Sequence, residues 1–217
     1  MHGRATGAAH GRTTTLPATA ERHVTVGEED VLRAQTYGLL GRLLRAPADA
    51  ATIEALPQLA GDDTELGAAF RALALAAARA TPEAVAEEYG ALFIGLTHGE
   101  LIPYGSYYLT GFLHERPLAR LRGDMARLGI ARVEAVKEPE DHVAALCEMM
   151  AGLIGGAFGE AMPVAEQERF FAAHLGGWAA RFFEDLERAA SADFYRPVGR
   201  IGRLFMDIER QAFAMAA

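Results

Sequence analysis

Glu88-Tyr89-Gly90-Ala91-Leu92-Phe93-Ile94-Gly95, running on into Pro103-Tyr104-Gly105-Ser106-Tyr107-Tyr108-Leu109, is the stretch where this chain changes character. On both sides of it, apolar residues recur at the three- and four-residue spacing of amphipathic helix. Between Gly95 and Gly111, glycines stand at 95, 99, 105 and 111 around Pro103 and three tyrosines. Glycine and proline make a poor helix interior, and so many tyrosines make a poor solvated spacer. Such a break inside a helical chain marks a candidate binding segment.

Working back from the break, Thr81-Pro82-Glu83 is a helix start, an N-cap followed by proline at the first position. It places Val85, Tyr89 and Leu92 on one face of a helix that ends by Gly95. Asp62-Asp63-Thr64 opens another, carrying Leu66, Phe70, Leu73 and Ala77. A short helix from about Asp49 holds Ile53, Leu56 and Leu59 and is disturbed at Pro57. From Glu28 to Arg45 the stripe is Leu32, Tyr37, Leu40 and Leu44, with Leu39 and Leu43 beside it. Glu28, Glu29 and Asp30 open that helix and Arg42 and Arg45 close it, as the helix dipole favours.

Working forward, Tyr107–Leu113 reads as a short helix. Pro117 begins another through Leu118, Leu121, Met125 and Leu128, closed by Gly129 at C′. Ile130–Lys137 alternates apolar and polar residues but has no partner strand, so it reads as an extended linker. Pro139–Gly155 is the clearest helix, with Val143, Leu146, Cys147, Met150, Leu153 and Ile154 in its stripe. Val164–Leu175, Gly177–Ala190 with Trp178, Phe182 and Leu186, and Ala192–Ala214 with a kink expected at Pro197 complete the pattern. The expectation is an all-α fold, one globular domain over residues 28–217 with roughly eight to ten helices.

Composition narrows the function. The chain has 217 residues, 51% of them hydrophobic, which suffices for a sizeable core without staples. Cys147 is the single cysteine, so no internal disulfide can form, which fits a reducing compartment. No apolar run approaches the ~18–20 residues that span a bilayer, and no stable membrane insertion is expected. Residues 1–27 lack the apolar core of a signal peptide and are expected to be a disordered tail. That tail carries a net +2, which leaves −10 for residues 28–217 in a chain of net −8. So acidic a body disfavours nucleic acid and favours a cationic partner.

Catalytic constellations are missing from the sequence: there is no HExxH, paired Glu-x-x-His, CxxC, GxxxxGK[ST] or G-x-S-x-G pattern. No catalytic residue, metal site or cofactor is expected. Cys147 lies on an apolar helix face and reads as a buried thiol. In Glu138-Pro139-Glu140-Asp141-His142, Pro139 suits the first helical position, and Glu140 and Asp141 suit the first turn. His142 follows at the rim of an apolar stripe. Arg196, Arg200 and Arg203 share one helix face, with Asp207 and Glu209 close by. A solvated, salt-bridged face is the simpler reading of these than a nucleic-acid surface. Two rival readings remain at this point. One is an all-helical DNA-binding regulator using that arginine face; the other is a helical metal-dependent enzyme built on His142 and its carboxylates.

Taken in order, Glu88-Tyr89-x-x-Leu92-Phe93-x-Gly95, Pro103-Tyr104-x-Ser106-x-Tyr108-Leu109 and Glu138-Pro139-Glu140-Asp141-His142 resemble the TorD/DmsD/NarJ group of cytoplasmic chaperones for molybdoenzymes. The resemblance covers about residues 28–212. It implies a non-catalytic helper that binds the twin-arginine signal peptide and apo form of a molybdenum-cofactor-dependent oxidoreductase. Such a helper holds back export until the cofactor is inserted. The client implied is of the formate dehydrogenase or S-/N-oxide reductase type. The peptide-binding residues implied are Leu92, Phe93, Pro103, Tyr104, Ser106, Asp141 and His142. Tyr108 of the second motif and Glu140 beside Asp141 complete the set. Many relatives carry tryptophan at the position of Tyr104.

A twin-arginine signal has a basic start and an apolar stretch. A groove with Leu92, Phe93 and Tyr104 for the one and Glu140 and Asp141 for the other would match both. The Gly95–Gly111 loop is then half a site, with Asp141 and His142 as the other half. Domain-swapped homodimers occur in the resembled fold, and Ile130–Lys137 offers a hinge.

Overall fold

The computed structural model describes residues 27–95, 99–132 and 137–216. The tail expected to be disordered, and residues 133–136 of the expected hinge, lie outside these. Among the described residues there are ten α-helices and no strand. The helices are α1 (Glu28–Arg45), α2 (Ala50–Ala55), α3 (Glu65–Arg79), α4 (Pro82–Tyr89) and α5 (Gly105–Thr110), then α6 (Arg116–Arg127), α7 (Val143–Gly155), α8 (Val164–His174), α9 (Ala179–Arg188) and α10 (Tyr195–Ala216). A 3₁₀ turn, Leu56–Gln58, follows α2 at Pro57, and a π turn, Gly90–Ile94, extends α4.

The helix starts are written locally. Asp49, Thr64 and Thr81 each cap with a side-chain oxygen on a backbone N–H two or three positions into the helix. The start of α10 is capped from afar. The Glu88 carboxylate accepts the backbone N–H groups of Asp193, Phe194 and Tyr195 at 2.8, 2.9 and 2.8 Å. Glu100 does the same for Ala190 and Ser191 at 2.6 and 3.0 Å. Because α10 begins at Tyr195, Pro197 falls in its first turn, where a missing N–H costs nothing. The proline expected to kink the helix helps to start it instead.

Helix α7 is apolar nearly all round and sits at the centre, packed along α1. Gly41 permits the close approach: a Cβ there would meet Glu148 Cγ at 2.8 Å and the Ala144 carbonyl at 3.2 Å. Tyr37, Leu40 and Leu44 of α1, Leu146 and Met150 of α7, and Phe182, Ile201 and Phe205 of α9 and α10 form one continuous core. Leu32 does not join the stripe expected of it and is 64% exposed. The first turns of α1 are tied by charge instead. Arg33 reaches both carboxylate oxygens of buried Glu209 in α10, at 2.7 and 2.8 Å, and Tyr37 donates to the same carboxylate at 3.1 Å.

Among the boundaries that differ from the sequence expectation, two bear on the site. The fifth helix covers Gly105–Thr110, not Tyr107–Leu113, and stops where Gly111 turns left-handed at φ 82°. The central helix begins at Val143, not Pro139. Pro139, Glu140 and Asp141 form a turn before it. His142, in extended backbone at φ −62° and ψ 135°, is the N-cap.

Candidate functional site

The backbone of 141–143 is unavailable to the helix because a distant segment takes it. Gly105 N–H donates to the Asp141 carbonyl and Val143 N–H to the Pro103 carbonyl, both at 2.9 Å, so that Tyr104 and His142 pair as a one-rung antiparallel bridge. The two rings stand edge to face, 5.1 Å apart. The loop around Pro103–Gly105 and the start of the central helix are therefore neighbours on one chain.

Beside this junction opens a groove of about 1230 Å³, bounded by the end of α1, the π turn, the end of α6 and the outer side of α7. Its apolar wall includes Tyr89, Phe93, Tyr104, Met125, Met149 and Phe158. Tyr89 and Phe93 pack edge to face at 4.9 Å. Within the π turn, Phe93 lines the groove while Leu92 is wholly buried in the core.

Of the nine candidate residues, Phe93, Pro103, Tyr104, Glu140 and His142 line the groove, and Leu92, Ser106, Tyr108 and Asp141 do not. These four have partners within the fold. Ser106 is fully buried. Tyr108 donates its hydroxyl to Asp185 at 2.9 Å and stacks obliquely on Trp178 with centroids 5.4 Å apart. Asp141 is 3% exposed, and its Oδ2 accepts the backbone N–H of Ser106 at 2.8 Å. Its Oδ2 caps the start of α5, and its Oδ1 is buried without a hydrogen-bond partner among the described residues.

Glu140 is different. Burial raises its carboxyl's pKa, but the hydrogen bond from Arg122 and the charges of Arg122 and Arg132 outweigh that and hold it below the ordinary value. His142 is driven down to about 4, first by burial and then by Arg45. Its Nδ1 accepts the Ala144 N–H at 3.1 Å, so the neutral ring carries its proton on Nε2. Burial pushes the Cys147 thiol well up, which removes it as a nucleophile at neutral pH. No cluster of three or more metal-ligating side chains exists among the described residues.

Sequence reasoning missed the groove's ionic lining. Arg45, read only as a helix-dipole partner, pairs with Glu148 of α7. Arg122 and Arg132 meet on Glu140. These partners come from different helices, and no local pattern announces them. Two of the three arginines on the face of α10 are used internally: Arg203 binds Glu187 at 2.8 Å, and Arg196 reaches the carbonyls of Glu187 and Ala192.

An all-helical body whose site is an apolar groove rimmed by ion pairs is built to hold a ligand by fit and charge. The comparisons with known proteins bear on the family and the fold. A family model described as nitrate reductase delta subunit matches residues 59–184. A crystal structure described as that of a redox enzyme maturation protein from Archaeoglobus fulgidus has the same fold, with a TM-score of 0.57. It is 18% identical, over 87% of this chain and 99% of that one. The chain belongs to the nitrate reductase delta subunit family, the NarJ/TorD-type chaperones of molybdoenzyme maturation, whose members are helpers and not catalysts.

Proposed function

We propose that this chain is a cytoplasmic chaperone that binds the twin-arginine signal peptide and the apo form of a molybdenum-cofactor-dependent oxidoreductase. It thereby assists cofactor insertion and holds back export. The observation that carries this reading is the groove itself. An apolar wall of Phe93, Tyr104 and Met149 adjoins a buried carboxylate, Glu140, that already ligates guanidinium groups. The apolar stretch of a signal peptide suits the first and its arginines the second. The docking surface is Phe93, Pro103, Tyr104, Glu140 and His142. Leu92, Ser106, Tyr108 and Asp141 hold those residues in place.

A cytoplasmic site of action follows from this reading, since a leader must be met before export. No helix among the described residues is long and apolar enough to cross a membrane. The clients to try are formate dehydrogenase and S- or N-oxide reductase precursors, and nitrate reductase, to which the family's description refers. Isothermal titration of the chain with synthetic leader peptides tests the reading. Saturable binding that is lost on changing both arginines to glutamine is the expected result. A pull-down from the native cell that recovers no molybdoenzyme precursor, together with no peptide binding, would overturn it.

A further inference from the structure

The groove must receive cations on this reading, yet its charges are already matched. Among the described residues its lining holds three cations, Arg45, Arg132 and Lys137, and three acids, Glu138, Glu140 and Glu148. Glu148 is held by Arg45. Glu140 is held twice, Oε2 by Arg122 and Oε1 by Arg132. A lining balanced in this way has little net field to draw in a basic peptide. An arriving arginine can reach the buried carboxylate only by replacing one already there.

The two resident arginines are not equivalent. Arg122 belongs to α6, whose backbone fixes its origin, and reaches Oε2 through both Nε at 3.0 Å and Nη2 at 2.9 Å. Arg132 lies past the end of α6, outside any helix, and touches Oε1 through Nε at 2.9 Å. Its side chain is 51% exposed and that of Arg122 49%, so the two differ in the backbone that carries them and not in exposure, while Glu140 is 8% exposed. Of the two, Arg132 alone lines the groove. A long, half-exposed side chain on irregular backbone gains little from such a pair and gives it up easily.

We propose that Arg132 is a displaceable stand-in for an arginine of the bound peptide. It covers Glu140 Oε1 until an incoming guanidinium replaces it, while Arg122 stays and holds the carboxylate in position. The inference rests on the peptide-binding reading of the groove and assigns it a specificity device. Exchange of guanidinium for guanidinium restores the same planar, charge-assisted contact. A lysine ammonium, a compact and strongly hydrated charge, does not reproduce it. The groove therefore selects arginine over lysine at the position next to Glu140, and Arg132 sets how tightly.

The test is fluorescence anisotropy on the full chain. The probes are a labelled peptide with two adjacent arginines before an apolar run, and its two-lysine counterpart. Arg132→Gln is expected to bind the arginine peptide roughly two- to fivefold more tightly than wild type, the size of a surface ion pair's worth. It should gain less on the lysine peptide, and Arg122→Gln should gain on neither. Exposed Arg132 is no folding determinant, so the variant should melt as wild type does. A wild type that binds while Arg132→Gln is unchanged or weaker overturns the stand-in. An equal gain in Arg122→Gln overturns the division between stand-in and anchor. A wild type that binds neither peptide overturns the peptide-binding reading beneath it.

Discussion

The Asp141 carboxylate accepts the backbone N–H of Ser106 at 2.8 Å across 35 residues of sequence, and that bond joins the two halves of the site. It gives Asp141 a part in holding the fold. Removing the carboxylate leaves a buried N–H without its acceptor, at a cost of about 1–3 kcal/mol. Asp141→Ala is therefore expected to lower Tm by several degrees, and Asp141→Asn, which keeps an acceptor oxygen, by much less. Thermal melts followed by circular dichroism check this. Loss of peptide affinity in Asp141→Ala with an unshifted Tm would instead make Asp141 a contact residue.

His142 should make the fold acid-sensitive over a defined window. Its folded-state pKa of about 4 lies below the ordinary value of 6.5, so the unfolded chain takes up the proton first. The sign follows: this contribution is fully present above pH 6.5 and is lost as pH falls from 6.5 towards 4. Integrated over the window it is worth on the order of 3 kcal/mol. His174, which burial also holds down against the pull of Asp124, adds to the same slope. His142→Asn keeps an N-cap acceptor and should flatten the slope without abolishing it. Urea midpoints at pH 7.5 and 5 in both proteins provide the comparison. An unchanged pH dependence would mean that the ring is already charged in the fold.

Tyr104 is the aromatic most directly offered to a ligand, half-buried against His142 with its other face on the groove. Tyr104→Ala should weaken binding of a leader peptide by about 1–2 kcal/mol, roughly five- to thirtyfold in Kd. Tyr104→Trp should preserve or strengthen it, because the larger ring fills the same wall. Calorimetric titration of both variants measures this. Equal affinity in all three proteins would place the apolar stretch elsewhere.

Most of the fold could be read from sequence because its signals are local. Thr64, Thr81 and Asp49 announce their helices, and the spacing of Leu118, Leu121 and Met125 reveals α6. The start of α7 could not be read that way. Pro139-Glu140-Asp141 carries good first-turn residues, but Pro103 and Gly105 claim the backbone of 141–143 from the other side of the groove. The burial of Leu92 follows from the face it shares with Val85 and Tyr89, but that its neighbour Phe93 borders the groove is set by tertiary packing. The resemblance pointed to the two segments; only the packing could say which of their residues border the groove.

Glu88 opens the first of the three motifs, and its position argues that part of the motif serves stability alone. Its carboxylate lies away from the groove lining and takes three successive N–H groups at the start of α10. A carboxylate at a helix N-terminus gains from both the unpaired donors and the dipole. Glu88→Ala leaves three donors to find water, and about 1–3 kcal/mol of stability should go with them. In a chain of this size that corresponds to a fall in Tm of roughly 2–4 °C per kcal/mol. Glu88→Gln, which keeps one acceptor oxygen but loses the charge, should fall between. Peptide affinity measured well below Tm should not move in either variant. If it does, the hold of Glu88 on α10 reaches the groove through Tyr89 and Phe93, which pack against Tyr195 at 5.9 and 5.7 Å. The structural and binding parts of the motif would then be one unit.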